Sequence, residues 1–231
     1  MALPKTGGSR LKIYDQLLKF QLFQGLSRTE LMQMAGQTKF GFMKESGGTV
    51  VSKEGAPCQQ LMLLTDGCLQ LVTRSDDGGY AMTEQVNAPW PLQPEALFGA
   101  LPRYSSSSRT LTACSFITLS KDEVLRLLDE FLIVRLNMLN MLATRAQHYQ
   151  RRQWRREPMS LRERFIRFLL DHSLYPAGSK ELHILMTRLA AELGDSRLDT
   201  SKMLNKLQAE HLLVLHRGRI EIPSLEQLLS Q

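Results

Sequence analysis

The sequence predicts an α+β protein: helices lead into a roll of short strands, a long helix follows, and a winged helix-turn-helix closes the chain. Three observations carry this prediction. From about 38 to 120, short runs of Val, Thr, Leu and Phe alternate with Gly, Asp and Pro turns. Residues 121–156 contain no Gly or Pro. From Leu189 to Leu213, two amphipathic stretches flank Gly194-Asp195-Ser196.

The elements follow in order. Leu17, Leu18, Phe20, Leu22 and Phe23 predict helix up to a break at Gly25-Leu26-Ser27. Ser27-Arg28-Thr29-Glu30 is a capping box that opens a helix over 30–35. In the strand-rich part, apolar runs at 60–64 and 68–72 flank Thr65-Asp66-Gly67, a hairpin signal. A second pair flanks Ser75-Asp76-Asp77-Gly78-Gly79. Many short strands at regular turn spacing predict a small antiparallel roll or barrel.

In the long helix, Leu132, Leu136, Leu139, Ala143 and Ala146 recur at 4-3-4-3 spacing, a heptad seam whose alanines let two helices approach closely. A helix of about 30 residues is about 45 Å long. A small roll does not cover that length, so the seam predicts dimerisation; a long core helix is the alternative. The basic run Arg151-Arg152-Gln153-Trp154-Arg155-Arg156 closes the helix, where cations suit the helix dipole. Glu157-Pro158-Met159-Ser160 is the expected hinge, and Ser160-Leu161-Arg162-Glu163 a capping box for a helix through Leu170.

Leu189 and Leu193 share one face of the first helix of the pair. Gly194 tolerates positive φ, and Ser196 can cap the second helix. Met203, Leu204 and Leu207 form that helix's apolar face, leaving Arg197, Asp199, Ser201 and Lys202 on the polar side. Residues 212–222 then read strand–turn–strand, with a basic tip at His216-Arg217-Gly218-Arg219: a wing. Pro223 ends it, and 224–229 can add a last helical turn. A helix placed this way enters the DNA major groove N-terminus first. Two helices around a glycine also occur in ordinary helical proteins, so charge matters here. Residues 1–130 hold 13 Lys and Arg against 13 Asp and Glu, whereas residues 131–231 hold 16 against 10. The whole excess of +6 lies with the helix-turn-helix, as phosphate neutralisation requires; a solvated basic helix face is the plainer account.

Composition also excludes classes. No run of about eighteen apolar residues exists, so no transmembrane helix and no membrane partner are expected. Residues 1–12 lack the apolar region of a signal peptide. Cys58, Cys68 and Cys114 are scattered and odd in number, which argues for a reducing cytoplasm, against a disulfide framework and against a four-cysteine iron–sulfur cluster. They read as small buried apolar residues rather than redox sensors. All five histidines (His148, His172, His183, His211, His216) lie beyond the roll. That argues against haem on a roll histidine and against a metal enzyme of the cupin type. No nucleophile–base pair, carboxylate dyad or phosphate loop is present, so no enzyme, no catalytic residue and no metal site are expected.

The order of elements and three blocks resemble the Crp/Fnr transcription factors over roughly residues 14–222. The blocks are Leu189 to Leu213 without a gap (with His216 in the wing), Arg109-Thr110-Leu111-Thr112-Ala113-Cys114 at the last roll strands, and residues 142–147, where Arg145 and Gln147 are identical. The resemblance implies a cyclic-nucleotide-binding-like roll with N-terminal helices over 1–121, a dimerisation helix and hinge over 122–157, and a winged helix-turn-helix over 158–231. It also implies a cytoplasmic homodimer that binds double-stranded DNA, contacts RNA polymerase and answers an unknown small-molecule effector. A ligand-binding roll whose winged helix makes protein contacts is the alternative.

By the resemblance, Arg197 reads guanine, Ser196 with His216 and Arg217 of the wing takes phosphates, and Lys202 makes a further base or phosphate contact. Leu198 replaces the family's cytosine-contacting glutamate; an alkyl group packs on a thymine methyl instead, so the half-site should differ there. Asp199 takes a polar role or caps the helix. In the family's pocket a glutamate takes the ribose and an arginine–serine pair the cyclic phosphate. Here those positions fall on Pro94, with Glu95 one place off, and on Tyr104 and Ser105, with Arg103 one place off. The helix positions that contact adenine are Tyr149 and Gln150. A one-residue slip in a strand turns a side chain to the other face, so cyclic AMP is not expected unless a local insertion restores the register. Phe98, Tyr104, Ser105, Arg109, Tyr149 and Gln150 remain the candidate effector pocket, and a constitutive member with a collapsed pocket remains open.

Overall fold

The computed structural model describes residues 13–152 and 154–230. The leader reading at 1–12 and Gln153 of the basic run lie outside the described residues. Helical residues 13–17 and a 3-10 turn at Gln21–Phe23 precede helix α1, Arg28–Gln37. Its capping box forms as expected: Ser27 Oγ accepts from Glu30 N, and Glu30 Oε2 accepts from Ser27 N at 2.8 Å.

The roll has eight strands: β1 Gly41–Glu45, β2 Val50–Ser52, β3 Gln60–Asp66, β4 Cys68–Arg74, β5 Tyr80–Asn87, β6 Trp90–Leu92, β7 Ser107–Thr110 and β8 Cys114–Ser120. One sheet runs β1-β8-β3-β6, and β2, β7, β4 and β5 lie in a second. β4 and β5 form the expected hairpin around 75–79, closed by Asp77 Oδ1 accepting from Gly79 N at 2.9 Å. The hairpin expected at Asp66-Gly67 does not form. β3 pairs with β8 and β6, β4 with β5 and β7, so Gly67 is a corner between sheets. Its φ is +98°, and a Cβ there would meet Ala113 O at 2.5 Å, so the corner requires glycine. Leu61, Met62, Leu63 and Leu64 are all buried. A strand covered on both faces is satisfied by sheet partners distant in sequence, which overrides the local turn signal.

The long helix is likewise divided. Helix α2 spans Lys121–Glu130 and helix α3 spans Leu132–Arg152, separated by Phe131 in extended conformation (φ −117°, ψ 103°). Phe131 is buried, so its anchoring in the roll core replaces the Gly or Pro whose absence predicted an unbroken helix. The 21 residues of α3 span about 31 Å. Val134, Met138 and Met141 bury one face of α3 against the roll. The opposite face carries Leu132, Leu136 and Leu139, 60%, 45% and 56% exposed, with Ala143 and Ala146 also exposed. Arg151 and Arg152 end the helix, while Arg155 and Arg156 lie outside it.

Helix α4, Leu161–Asp171, opens on Ser160, whose Oγ accepts from Glu163 N at 3.1 Å; Glu163 Oε2 reaches back to Met159 N rather than to the cap itself. There follow β9 Lys180–Ile184, α5 Met186–Glu192, α6 Arg197–Ala209, β10 Val214–His216, β11 Arg219–Ile222 and α7 Leu225–Leu229, the last capped by Ser224. Among the described residues no helix is long and apolar enough to cross a membrane.

The two cores are joined through one sheet. β9 pairs with β5 from Tyr80↔Ile184 to Glu84↔Lys180, so β10-β11-β9 extends the second roll sheet to seven strands. Met82 of β5 packs into the C-terminal core with Phe165, Leu182 and Ile184. At this junction Lys180 Nζ meets Glu84 Oε1 at 2.8 Å, their side chains 1% and 3% exposed. Each group has further partners: Lys180 also donates to Ala177 O, and Glu84 accepts from Leu174 N and Tyr175 N. Buried charges persist only when paired and hydrogen-bonded in this way. Arg188 with Asp77 at 2.8 Å, and Tyr80 Oη with His172 Nε2 at 2.9 Å, flank the contact.

Candidate DNA interface and roll cavity

Leu189, Leu193, Leu204 and Leu207 are buried between α5 and α6, which fixes the angle of the helix pair. Gly194 at φ +61° makes the turn, and Arg164 pairs with Asp195 to tie the turn to α4. Ser196 caps α6, its Oγ accepting from Asp199 N at 3.0 Å and donating to Asp199 Oδ2 at 2.7 Å. Lys202 Nζ approaches Asp199 Oδ1 at 3.4 Å. The Ser196 hydroxyl, and then Lys202, hold the Asp199 carboxyl below its ordinary range. Asp199 is thus a capping residue in an internal polar network. Ser196→Ala should cost about 0.5–2 kcal/mol of stability, read by thermal or urea melts.

This packing leaves Arg197, Leu198 and Lys202 exposed and Ser201 half-buried. Arg197 makes no hydrogen bond or ion pair with any described residue. Leu198 is 65% exposed at the first turn of α6, an apolar group presented to whatever meets the helix. In the wing, Gly218 turns the chain at φ +73° and Arg217 is exposed without an ion pair among the described residues, while His216 lies 3.3 Å from Glu221. Many C-terminal cations are already engaged: Arg162 with Glu210, Arg164 with Asp195, Arg188 with Asp77 and Glu192, Arg219 with Glu181. The formal charge excess therefore narrows to a few free groups, with Arg197 and Arg217 among them.

A partly open cavity of about 220 Å³ lies between the roll, α3 and the segment after α4, lined by Trp90, Glu95, Arg145, His148, Tyr149 and Leu174. Arg145 of α3 forms an ion pair with Glu95 across it. The six residues expected to form the effector pocket do not come together. Tyr104 is buried, and burial, then a hydrogen bond with Cys58, raises its pKa. Arg109 faces outward on β7, Gln150 is exposed on α3, and Phe98 lies beneath Lys121 Nζ at 5.3 Å. Ser105 and Tyr149 share a separate space of about 240 Å³ bordered by Tyr80 and His172.

Sequence reasoning missed Glu95, Arg145, His148 and Trp90 as one group. Glu95 reaches the cavity from a 3-10 turn, Pro94–Leu97, entered through left-handed Gln93, so strand alternation did not apply. Arg145 lay within the aligned block at 142–147 and was the available signal.

A family model of the Crp-like helix-turn-helix domain matches residues 163–230, and a model of the cyclic nucleotide-binding domain matches residues 45–131, together well over half of the chain. No curated protein matches significantly. Among solved structures, the chain is similar to the sensor domain of the transcriptional regulator DNR from Pseudomonas aeruginosa, at 20% identity and TM-score 0.52, over 66% of this chain and 98% of that one. It is similar to a transcriptional regulator of the crp/fnr family from Eubacterium rectale, at 20% identity and TM-score 0.51, over 92% and 97%. It is also similar to the catabolite activator protein of Thermus thermophilus, at 22% identity and TM-score 0.49, over 91% and 97%. At such identities the first two likenesses bear on fold alone. The two domain models, matched in this order along one chain, show that it belongs to the Crp/Fnr family of transcription regulators.

Proposed function

We propose that the chain works as a homodimer that reads a two-fold symmetric DNA operator. The observation that carries this is the free, exposed Arg197 at the Ser196-capped start of α6, with Leu198, Lys202 and the wing's Arg217 around it. Arg197 would take guanine O6 and N7, Leu198 a thymine methyl, and Ser196, Ser201, Lys202, His216 and Arg217 the backbone or flanking bases. The exposed seam of Leu132, Leu136, Leu139, Ala143 and Ala146 supports pairing of two α3 helices. Effector control is assigned to the cavity between roll and α3, where a bound molecule meets the Glu95–Arg145 pair. The reading invokes no metal, haem or iron–sulfur cluster. RNA polymerase is the expected onward partner.

Footprinting on selected operators tests it: protected half-sites should be centred about 10–10.5 base pairs, or a multiple of that, apart. Protection of a single unpaired site overturns the dimeric reading. Leu139→Glu places a charge in the seam and should convert the protein to monomer in sedimentation analysis, with loss of palindromic binding. An unchanged sedimentation coefficient would exclude the seam.

A further inference from the structure

Beyond its first turn, helix α6 presents a second polar pair. At 3.6 residues per turn, Ser201 and Asn205 lie about 40° and 80° around the axis from Arg197, inside the arc that ends with Lys202 at about 140°. The buried residues of α6, Thr200, Leu204 and Leu207, face the other way. Asn205 is exposed, so it points out of the middle of the face that carries Arg197, Leu198 and Lys202, with Ser201 half-buried beside it.

The Asn205 side chain is oriented by its own helix. One polar end of its amide lies 2.9 Å from Ser201 O. A backbone carbonyl only accepts, so that end is Nδ2, which also lies 3.4 Å from Ser201 Oγ. The amide N–H groups are thereby turned back towards the preceding turn. Oδ1 makes no hydrogen bond with any described residue. Ser201 Oγ, in accepting from Nδ2, keeps its own proton, and no described residue accepts it. The pair thus offers one acceptor and one donor, a single turn apart on a rigid element.

Phosphate oxygens only accept, so Oδ1 is repelled by the DNA backbone and its partner is a donor. In the major groove adenine shows an acceptor, N7, next to a donor, N6. Guanine shows two acceptors, cytosine a donor alone, and thymine an acceptor beside a methyl group. We infer that Asn205, together with Ser201, reads an adenine at a base pair other than the one Arg197 reads. Ser201 Oγ donates to N7, and Asn205 Oδ1 accepts from N6. Asn205 stands eight residues beyond Arg197, about 12 Å along the helix axis, so the two side chains do not compete for one base. This role of Asn205 rests on the operator reading above and adds a second specified base pair to each half-site.

Duplexes selected from a randomised library by the full-length protein, and then sequenced, test it. Asn205→Ala should lower the preference for adenine at one base pair by about 5- to 100-fold and leave the guanine preference that Arg197→Ala removes. Alanine suits an exposed helical position, so the variant folds. Ser201→Ala should relax the same base pair, and the double variant should lose less than the product of the two single losses, as two groups on one base do. Weaker binding spread evenly over all sequences, or relaxation at a position that does not prefer adenine, overturns the role given to Asn205. If Asn205→Ala leaves every preference intact while Arg197→Ala removes one, that role fails and the operator reading stands. A native protein without any base preference overturns both.

Discussion

Lys180→Met should destabilise the protein by about 3–5 kcal/mol. The substitution is similar in volume and removes only the ammonium. It leaves the Glu84 carboxylate in the buried junction between β5 and β9, with the Leu174 and Tyr175 amides as its remaining partners. Those two hydrogen bonds do not repay the desolvation of a full charge. The double variant Lys180→Met, Glu84→Gln should recover part of the loss: no unpaired charge remains, but Leu174 N and Tyr175 N donate to different oxygens of Glu84, and the single amide oxygen replaces only one of them. Urea melts of the native protein and both variants check this, and a single transition that splits into separate ones for roll and winged helix in Lys180→Met would show that the junction couples them.

Arg197→Ala should remove about 1–3 kcal/mol of discrimination at one base pair of each half-site while leaving most of the non-specific affinity. The reason is geometric: a guanidinium offers two parallel donors to the two acceptors of guanine, whereas phosphate contacts carry no sequence information. Arg197→Lys should not restore the preference, since an ammonium lacks that fork. Fluorescence anisotropy over a salt series, on the operator and on single-base variants, separates the two terms. Loss of affinity uniform across all sequences would instead make Arg197 a phosphate contact. Arg217→Ala provides the contrast: a weaker complex on every sequence, with a salt slope reduced by about one.

What the sequence made legible was local. The box at Ser27, the caps at Ser160 and Ser196, the β4–β5 turn and the wing each depend on residues a few positions apart, and each is found near its expected place. What it hid was decided at long range. Asp66-Gly67 has the chemistry of a hairpin turn, but β3 finds β8 some fifty residues on and the chain turns a corner instead. Phe131 breaks a helix that contains no helix breaker, because a buried aromatic anchors the chain there. Glu84 and Lys180 look like surface charges in sequence, yet each is buried by the other's strand. The effector-pocket residues were placed by the resemblance, position by position, and left-handed Gln93 turns the chain just before Glu95, a change of path that such matching does not carry.

The shared seven-stranded sheet also has a consequence in time. Residues 80–84 of β5 find their partner about a hundred residues later, at 180–184. At synthesis rates of about 5–20 residues per second, that edge stays unpaired for about 5–20 seconds on each new chain. An open strand edge is a template for pairing with another chain, and a charged side chain within the strand is one way proteins blunt it. Glu84 places such a charge on the unfinished edge, and pairing with β9 brings Lys180 to neutralise it.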